Sequence, residues 1–338
     1  MINLFLLAIL VNVLIFLNFN KISKIYNIYD IPDSVRKKHK ISTPLVGGLI
    51  LYINILFAMI LHNLNFFENS FFGSNREMLI FLISLSSLFI LGFVDDKYNL
   101  GANFKLIAIS FVVFLAISFD NDLIIREISL TFYNQKIALQ SFSIPVTMLC
   151  FLLFINAFNM LDGINGQAIS YAIFIIVIFV FYKINSYFSC FVMVALLFCL
   201  FLNLKSRMFL GDSGTLFLSY MIGYFFIKQY NLKSVLRSDE IFLIMMIPGF
   251  ELLRLALFRA IKKKHPFKAD RNHIHHLILR KNNFFFTYVF VQCLLFFPFL
   301  LNLILNNTPL VVCVSALLYA SIIYFYSRLK NYEDKFDE

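Results

Sequence analysis

Long apolar runs recur from one end of this 338-residue chain to the other. A run of about 17 to 25 apolar residues lets a helix cross the roughly 30 Å hydrocarbon core of a bilayer. Because a lipid-exposed backbone must satisfy its own hydrogen bonds, such runs restrict the chain to membrane-spanning helices. The hydrophobic share of 60% and the mean hydropathy of +0.81 agree with this. The sequence predicts an all-α polytopic integral membrane protein with a single domain, residues 1–338.

Eleven of the runs are predicted to be transmembrane helices. They lie near residues 3–19, 45–62, 78–94, 105–119, 143–159, 166–183, 187–203, 213–229, 240–258, 284–304 and 309–327. The first is expected to be a retained anchor, because it lacks a basic leading region and a small-residue cleavage site. Partial period-two alternation in residues 124–132 and 136–140, on either side of a turn, predicts a small extracytoplasmic β-hairpin.

Lysine and arginine are concentrated in alternate loops, within residues 21–40, 205–207 and 262–281. Positive charge is retained in the cytoplasm, so eleven spans predict an N-terminus outside and a C-terminal tail inside. The same parity places four polar motifs, after the third, fifth, seventh and ninth runs, on the cytoplasmic face. The net charge of +10 is attributed mainly to the positive loops that are retained in the cytoplasm and to attraction to anionic lipid. It is attributed in part to attraction of a phosphorylated substrate.

The first motif is the adjacent pair Asp95 and Asp96 at the cytoplasmic end of the third run. Two neighbouring carboxylates repel each other, so near low dielectric they need a cation, a shared proton or water. A solvated pair at a helix end is one interpretation, and a Mg²⁺ site or general base is the other. Lys105, at the start of the fourth run, either extends to the membrane interface or neutralises a phosphate.

The second motif places Asn156, Asn159, Asp162 and Asn165 at intervals of three, so that neighbours can share a helix face. Their oxygens suit a hard cation and their hydrogen-bonding groups suit a sugar or base, whereas an interhelical polar network is the alternative. The third motif contains Asp212 in the sequence Gly-Asp-Ser-Gly. Asp212 either caps the eighth run or adds the further carboxylate that a Mg²⁺-dependent phosphoryl site requires.

The fourth motif follows the ninth run and combines one arginine with three histidines. Its residues are Arg271, His273, His275 and His276. Three clustered histidines are compatible with a zinc site, but the adjacent arginine and lysines favour binding of a phosphate. A loop after the first run, residues 30–48, combines turn formers with basic side chains, and it is interpreted either as a lipid-headgroup contact or as a neighbour of the active site.

In series, the four motifs resemble the polyprenyl-phosphate N-acetylhexosamine-1-phosphate transferases, glycosyltransferase family 4. The resemblance covers residues 30–276, and the spacing His-Ile-His-His is similar to the N-acetylglucosamine branch of that family. The phospho-MurNAc-pentapeptide translocases have three consecutive histidines instead. Asn165 departs from the Asp of most bacterial relatives and matches the eukaryotic ones, Glu251 replaces the usual Asp, and the Pro-Ala often found before Arg207 is absent. Glu251 is interpreted, with Arg254 and Arg259, as a structural ion-paired set.

The resemblance implies transfer of N-acetylhexosamine 1-phosphate from a UDP-N-acetylhexosamine, expected to be UDP-N-acetylglucosamine, to undecaprenyl phosphate, with release of UMP. It also implies a Mg²⁺ cofactor, with Mn²⁺ as the alternative ion, a location in the bacterial inner membrane, and a homodimer as a fitting assembly. The product would initiate cell-envelope polysaccharide synthesis. The implied residues are Asp95, Asp96 and Lys105 for catalysis, Asp212 and Asn159 for the metal, and Asn156, Asp162, Asn165, Arg271, His273, His275 and His276 for the substrate.

Three other functions are compatible with parts of this pattern. A phospho-MurNAc-pentapeptide translocase-like enzyme would share the family but not the donor. An intramembrane prenyltransferase also binds Mg-diphosphate through acidic motifs, which Asp95-Asp96-Lys-Tyr-Asn99 imitates in part. A lipid or ion transporter would place its ionisable residues at mid-bilayer, whereas the four motifs are predicted at one membrane face.

Overall fold

The computed structural model of the protein describes residues 2–31, 42–67, 72–263 and 272–328. These residues are mostly helical. The α-helices are α1 (Ile2–Leu17), α2 (Phe19–Tyr26), α3 (Gly47–Asn63), α4 (Asn75–Tyr98), α5 (Ala102–Phe119), α6 (Ser143–Leu161), α7 (Gln167–Phe181), α8 (Ser186–Leu204), α9 (Gly211–Lys233), α10 (Ser238–Ile261), α11 (Ile274–Leu279), α12 (Phe284–Leu305) and α13 (Thr308–Arg328). Two small sheets pair β1 (Tyr29–Asp30) with β2 (Thr43–Pro44) and β3 (Glu127–Leu130) with β4 (Tyr133–Ala138).

Each of the eleven predicted runs coincides with one helix, but not all of these helices qualify as membrane spans. Within the described ranges, seven helices are long and apolar enough to cross a bilayer, or eight if α1 and α2, bent by 67°, form one broken span. Helices α3 and α7 have only 17 and 15 residues, and α9 is long enough but too polar. The protein is an all-α multi-pass membrane protein, and the predicted count of eleven spans is not supported.

The chain divides into two compact units, one within Met1–Glu127 and Ala138–Val235 and the other within Ile128–Ile137 and Leu236–Glu338. In the first unit, α9 packs against α3, α4, α6 and α7. Every residue of α9 from its start to Tyr230 is buried except Asp212. This explains why α9 is more polar than a lipid-facing helix. A helix surrounded by protein does not need an apolar surface, and its small and hydroxyl side chains permit close helix packing.

A buried lysine holds the C-terminal half of α9. The Lys228 ammonium group lies 2.8 Å from Glu77 Oε2, 3.0 Å from Asp120 Oδ2 and 3.2 Å from Asp122 Oδ2. Glu77 belongs to the first turn of α4, and the two aspartates follow the end of α5. A buried charge requires partners of opposite sign. This cluster therefore ties α9 to α4 and α5 at the end away from Asp212.

In the second unit, α10 packs against α12 and α13 around a small core of Leu243, Met246 and Val311. The turn between β3 and β4 is bound by Asp239, which accepts hydrogen bonds from the Thr131 backbone N–H and hydroxyl. The strands β3 and β4 lie in the segment where alternation predicted a hairpin. Their extracytoplasmic position stays a prediction.

Candidate functional site

The third motif of the sequence lies at the N-terminus of α9, where α9 meets the C-terminal turns of α4. The contact is close because α4 has a glycine there: a Cβ on Gly92 would lie 2.4 Å from the Asp212 carbonyl oxygen and 2.5 Å from the Ser213 Cα. Gly211, just before, has φ of +73°, a left-handed conformation that favours glycine. A Cβ on Gly211 would also lie 2.6 Å from the Asp96 carboxylate. These glycines let the backbones of the two helices touch.

Asp96 caps α9 from the neighbouring helix. Its Oδ1 accepts a hydrogen bond from the Asp212 backbone N–H at 2.7 Å, and its Oδ2 accepts one from the Ser213 N–H at 3.0 Å. The first N–H groups of a helix have no partner within the helix, and a carboxylate also interacts favourably with the positive end of the helix dipole. Asp96 therefore determines where the first turn of α9, and with it Asp212, lies relative to α4.

Lys105 connects two carboxylates that are far apart in the sequence. Its ammonium group lies 2.7 Å from Asp95 Oδ2 and 2.6 Å from Asp212 Oδ2. Asp95 is only 6% exposed, and its other oxygen accepts the Leu100 backbone N–H at 2.7 Å. Asp95, Lys105 and Asp212 therefore lie together where α4, α5 and α9 meet. Two carboxylates contact one ammonium group, an arrangement with an excess of negative charge.

Asn159, at the end of α6, joins this cluster beside Asp212. Its side-chain oxygen accepts a hydrogen bond from the Thr215 hydroxyl at 2.6 Å, and its side chain also hydrogen-bonds Asp212. Asp162 follows α6, and burial raises the pKa of its carboxyl to about 7, with repulsion from Asp212 and Asp96 as smaller causes. The carboxylates of the second and third motifs therefore interact electrostatically, as expected for one site.

The other two asparagines of the second motif make local contacts. The Asn156 amide donates to the Leu152 carbonyl within α6 at 2.7 Å, and the Asn165 amide donates to the Ser206 hydroxyl at 2.8 Å. A role for either in substrate binding stays a prediction. The loop that contains Asn165 is held by Asn203, whose oxygen accepts the Gly166 N–H while its amide donates to the Met208 carbonyl at 2.8 Å.

Asn203 was missed in the sequence. It is the last residue but one of the apolar helix α8, just before a basic loop, and a carboxamide at the end of an apolar run is the signal that could have identified it. The segment 42–48 is also placed beside the site. The backbone N–H groups of Gly47 and Gly48 donate to the carbonyls of Phe209 and Leu210, both at 3.0 Å. Of the two interpretations of the loop after α1, the described part favours proximity to the site.

The donor set beside α9 suits a magnesium ion. Mg²⁺ prefers oxygen ligands and is usually held by one or two carboxylates together with substrate phosphates. Asp212 supplies a carboxylate, and the neighbouring Asn159 side chain supplies a carboxamide oxygen. Among the described residues, no three His, Cys, Asp or Glu side chains are grouped so that they could hold a metal without such help.

The histidines of the fourth motif belong to the second unit and lie at the start of α11. The His273 and His275 rings are stacked with centroids 5.3 Å apart, and the His276 ring lies 4.4 Å from that of His275. Burial lowers the pKa of His275 well below its usual value, and repulsion from the two neighbouring histidines adds to this. His275 is therefore neutral near pH 7. Arg271, the remaining member of the predicted motif, lies outside the described residues.

The chain is similar to several known proteins. A model of the family named Glycosyl transferase family 4 matches residues 78–230. The undecaprenyl-phosphate alpha-N-acetylglucosaminyl 1-phosphate transferase of Escherichia coli O157:H7 is 27% identical over 77% of this chain and 71% of its own length. The protein of the same name from Yersinia pestis is 26% identical, over 72% of this chain and 68% of its own. The probable undecaprenyl-phosphate N-acetylglucosaminyl 1-phosphate transferase of Bacillus subtilis (strain 168) is 26% identical, over 73% and 68% respectively.

The segment matched by the family model begins in α4 and ends in α9. It therefore contains all of the carboxylates that surround Lys105, together with Asn159 and Asp162. The similarity to the three relatives extends beyond this segment, over roughly three quarters of the chain. The chain is therefore similar to glycosyl transferase family 4 over residues 78–230, and to these three relatives over roughly three quarters of its length.

Proposed function

We propose that the protein transfers N-acetylglucosamine 1-phosphate from UDP-N-acetylglucosamine to undecaprenyl phosphate. An oxygen of the lipid phosphate forms a bond to the β-phosphorus of the donor. The bond between that phosphorus and the bridging oxygen breaks, and the bridging oxygen leaves as part of UMP. The names of the relatives support the acceptor and the transferred group. The observation that carries the proposal is the Lys105 ammonium group between Asp95 and Asp212.

Phosphoryl transfer depends mainly on positioning the reactants and neutralising their charge. Lys105 is the cation for this task, and in the proposal it contacts a phosphate oxygen while Asp95 and Asp212 hold it in place. Asp95 orients the lipid phosphate and does not need to remove a proton, because that phosphate is already largely ionised near neutral pH. Asp96 acts by fixing the first turn of α9, which is supported by its two backbone hydrogen bonds.

We assign Asp212 and Asn159 as the residues that hold Mg²⁺, with Mn²⁺ as the alternative ion. The ion would neutralise the donor diphosphate when bound. The assignment is supported by the chemistry of these two oxygen donors and by their contact with each other. Asn156, Asp162 and Asn165 are assigned to the nucleotide, and Arg271, His273, His275 and His276 to the sugar and diphosphate. Because His275 is neutral, it would act as a hydrogen-bonding partner and not as a cation.

The membrane arrangement that fits this reaction has the site at the cytoplasmic face of a bacterial inner membrane and the N-terminus outside. Undecaprenyl phosphate would reach the site from the lipid, and the UDP-sugar would reach it from the cytoplasm. The arrangement needs eleven crossings, so α3, α7 and α9 would cross although they are short or polar. Burial of α9 among other helices supports this for α9. A homodimer is compatible with the arrangement, and the lipid product would begin a cell-envelope polysaccharide.

The decisive experiment uses the full chain purified in detergent. It would be incubated with undecaprenyl phosphate and, in separate reactions, with a panel of UDP-N-acetylhexosamines, and UMP release would be followed with Mg²⁺ and with EDTA. UMP is expected only when lipid, metal and the N-acetylglucosamine donor are all present. UMP with another donor of the panel would correct the sugar, whereas no UMP with any donor from folded protein would contradict the proposed reaction.

A further inference from the structure

A buried carboxylate in the middle of α10 is connected directly to the histidine segment. Glu251 is 3% exposed. It accepts two hydrogen bonds from Arg254, with Nε–Oε2 and Nη2–Oε1 distances of 3.0 and 2.7 Å, and one from the Tyr319 hydroxyl. Its fourth hydrogen bond comes from the Ile274 backbone N–H at 2.8 Å. This last contact joins the middle of a membrane helix to the first residue of α11.

Arg254 makes the complementary contact on the other side of the same histidine. Its Nη2 donates to the Asn272 carbonyl at 2.7 Å while it also donates to Glu251. The backbone is thus held immediately before His273, at the Asn272 carbonyl, and immediately after it, at the Ile274 N–H. An arginine suits this task, because its planar guanidinium group presents several donors in fixed directions.

The positions of the three histidine rings depend on this backbone. His273 has φ of −63° and ψ of 146° and directly precedes the helical turn that contains His275 and His276. The His273 ring is stacked on that of His275, with an angle of 12° between the ring planes. A rotation of the backbone at His273 would therefore displace the whole group of rings. None of these contacts involves the carboxylates around Lys105, so the two sets of residues are held by separate interactions.

A buried ion pair by itself is weak grounds for a stabilising role, because well-packed apolar residues of similar volume are often as stable or more so. Here the pair also forms hydrogen bonds with two backbone groups, the Asn272 carbonyl and the Ile274 N–H, on either side of His273. We propose that Glu251, Arg254 and Tyr319 are positioning residues that set the backbone of His273 and so orient His273, His275 and His276 toward the sugar and diphosphate of the donor. The orientation toward the donor rests on the proposed function, whereas the positioning of the rings does not.

Two variants test the positioning without removing a histidine. Glu251→Gln keeps the shape of the side chain but removes its charge, and Tyr319→Phe removes a single hydroxyl. Glu251→Asp is the conservative variant, which keeps the charge for Arg254. Tyr324→Phe is the matched control, because Tyr324 is on the same helix, is 58% exposed and does not contact Glu251. Each full-length protein would be checked for insertion and for a single peak in size-exclusion chromatography.

The first measurement is the rate at which diethyl pyrocarbonate modifies His275, followed by mass spectrometry. His275 is 1% exposed, so slow modification is expected in the unaltered protein and in Tyr324→Phe. Faster modification is expected in Glu251→Gln and Tyr319→Phe, with partial protection in Glu251→Asp. Unchanged protection in both Glu251→Gln and Tyr319→Phe would overturn the inference, whatever reaction the protein catalyses.

The second measurement is the kinetics of UMP release. We expect Glu251→Gln to raise KM for the UDP-sugar about tenfold, equivalent to about 1.4 kcal/mol, with KM for undecaprenyl phosphate unchanged. A loss of folded protein would instead lower the apparent kcat and leave both KM values unchanged, which would speak against positioning. If His275 loses protection while the protein stays folded and kcat and both KM values stay constant, the positioning stands and the assignment of the histidines to the donor is wrong.

Discussion

Gly92→Ala tests the close contact between α4 and α9 with the smallest available change. The added methyl carbon would lie 2.4 Å from the Asp212 carbonyl oxygen, whereas ordinary contacts begin at about 3.4 Å. Both obstructing groups are backbone atoms, so no flexible side chain can move away. The two helices would have to separate by about 1 Å, the difference between these distances. Overpacking of this kind costs on the order of 1–3 kcal/mol, and a 1 Å displacement of reacting groups can reduce a rate about 100-fold.

The assay is kcat for UMP release, compared with Gly249→Ala as the control. Gly249 is also inside a helix, but a Cβ there would meet no atom within 4 Å, and alanine is favoured over glycine in helices by roughly 1 kcal/mol. We expect Gly249→Ala to retain full activity and Gly92→Ala to lose about 100-fold while still inserting into membranes. Wild-type turnover in a folded Gly92→Ala enzyme would refute the argument that this contact sets the position of Asp212.

Three further predictions concern single carboxylates. Asp212→Asn is expected to abolish UMP release while the protein still inserts, because it removes the charge assigned to the metal; near wild-type turnover in folded protein would contradict that assignment. Asp95→Asn is expected to reduce kcat severely in the same assay, since Lys105 would lose one of its two anionic partners, and an unchanged kcat would show that Asp95 does not hold Lys105 for catalysis. Asp239→Asn is expected to lower the thermal unfolding temperature measured by circular dichroism. Hydrogen bonds from Thr131 and Thr308 to a charged acceptor contribute about 1.5–3 kcal/mol each. An unchanged unfolding temperature would mean that these hydrogen bonds add no stability.

The positions of the helices were predictable because long apolar runs have few alternatives in a bilayer. Which helices face lipid was not predictable in the same way. The polar composition of α9 follows from its burial among other helices. The mean hydropathy of a segment cannot distinguish a helix that is buried among others from a helix that is too polar to cross a membrane. The bend between α1 and α2 was also missed, since the run 3–19 continues past Leu17 without a proline or glycine.

The residues of the site were predictable from motif order, but their contacts were not. Asp95 and Asp96 are adjacent, yet Asp95 binds Lys105 while Asp96 caps α9, because successive residues of a helix point in different directions. The sequence contains no signal for that difference. Glu251 was interpreted as part of a structural ion-paired set, and its pairing with Arg254 is confirmed. Its contact with the Ile274 N–H depends on the path of the chain between α10 and α11.

The ties between α4 and α9 have a consequence for the response of the protein to bilayer thickness. Asp96 binds the first turn of α9 at one end, and Glu77 binds Lys228 at the other. Glu77 and Asp96 are nineteen positions apart in α4, a length of about 28 Å at 1.5 Å per residue. This is close to the thickness of the hydrocarbon core. In a thinner or thicker membrane, sliding of α4 along α9 would break charged contacts at both ends. The distance between the carboxylates around Lys105 is therefore expected to stay constant when the bilayer thickness does not match the length of the helices.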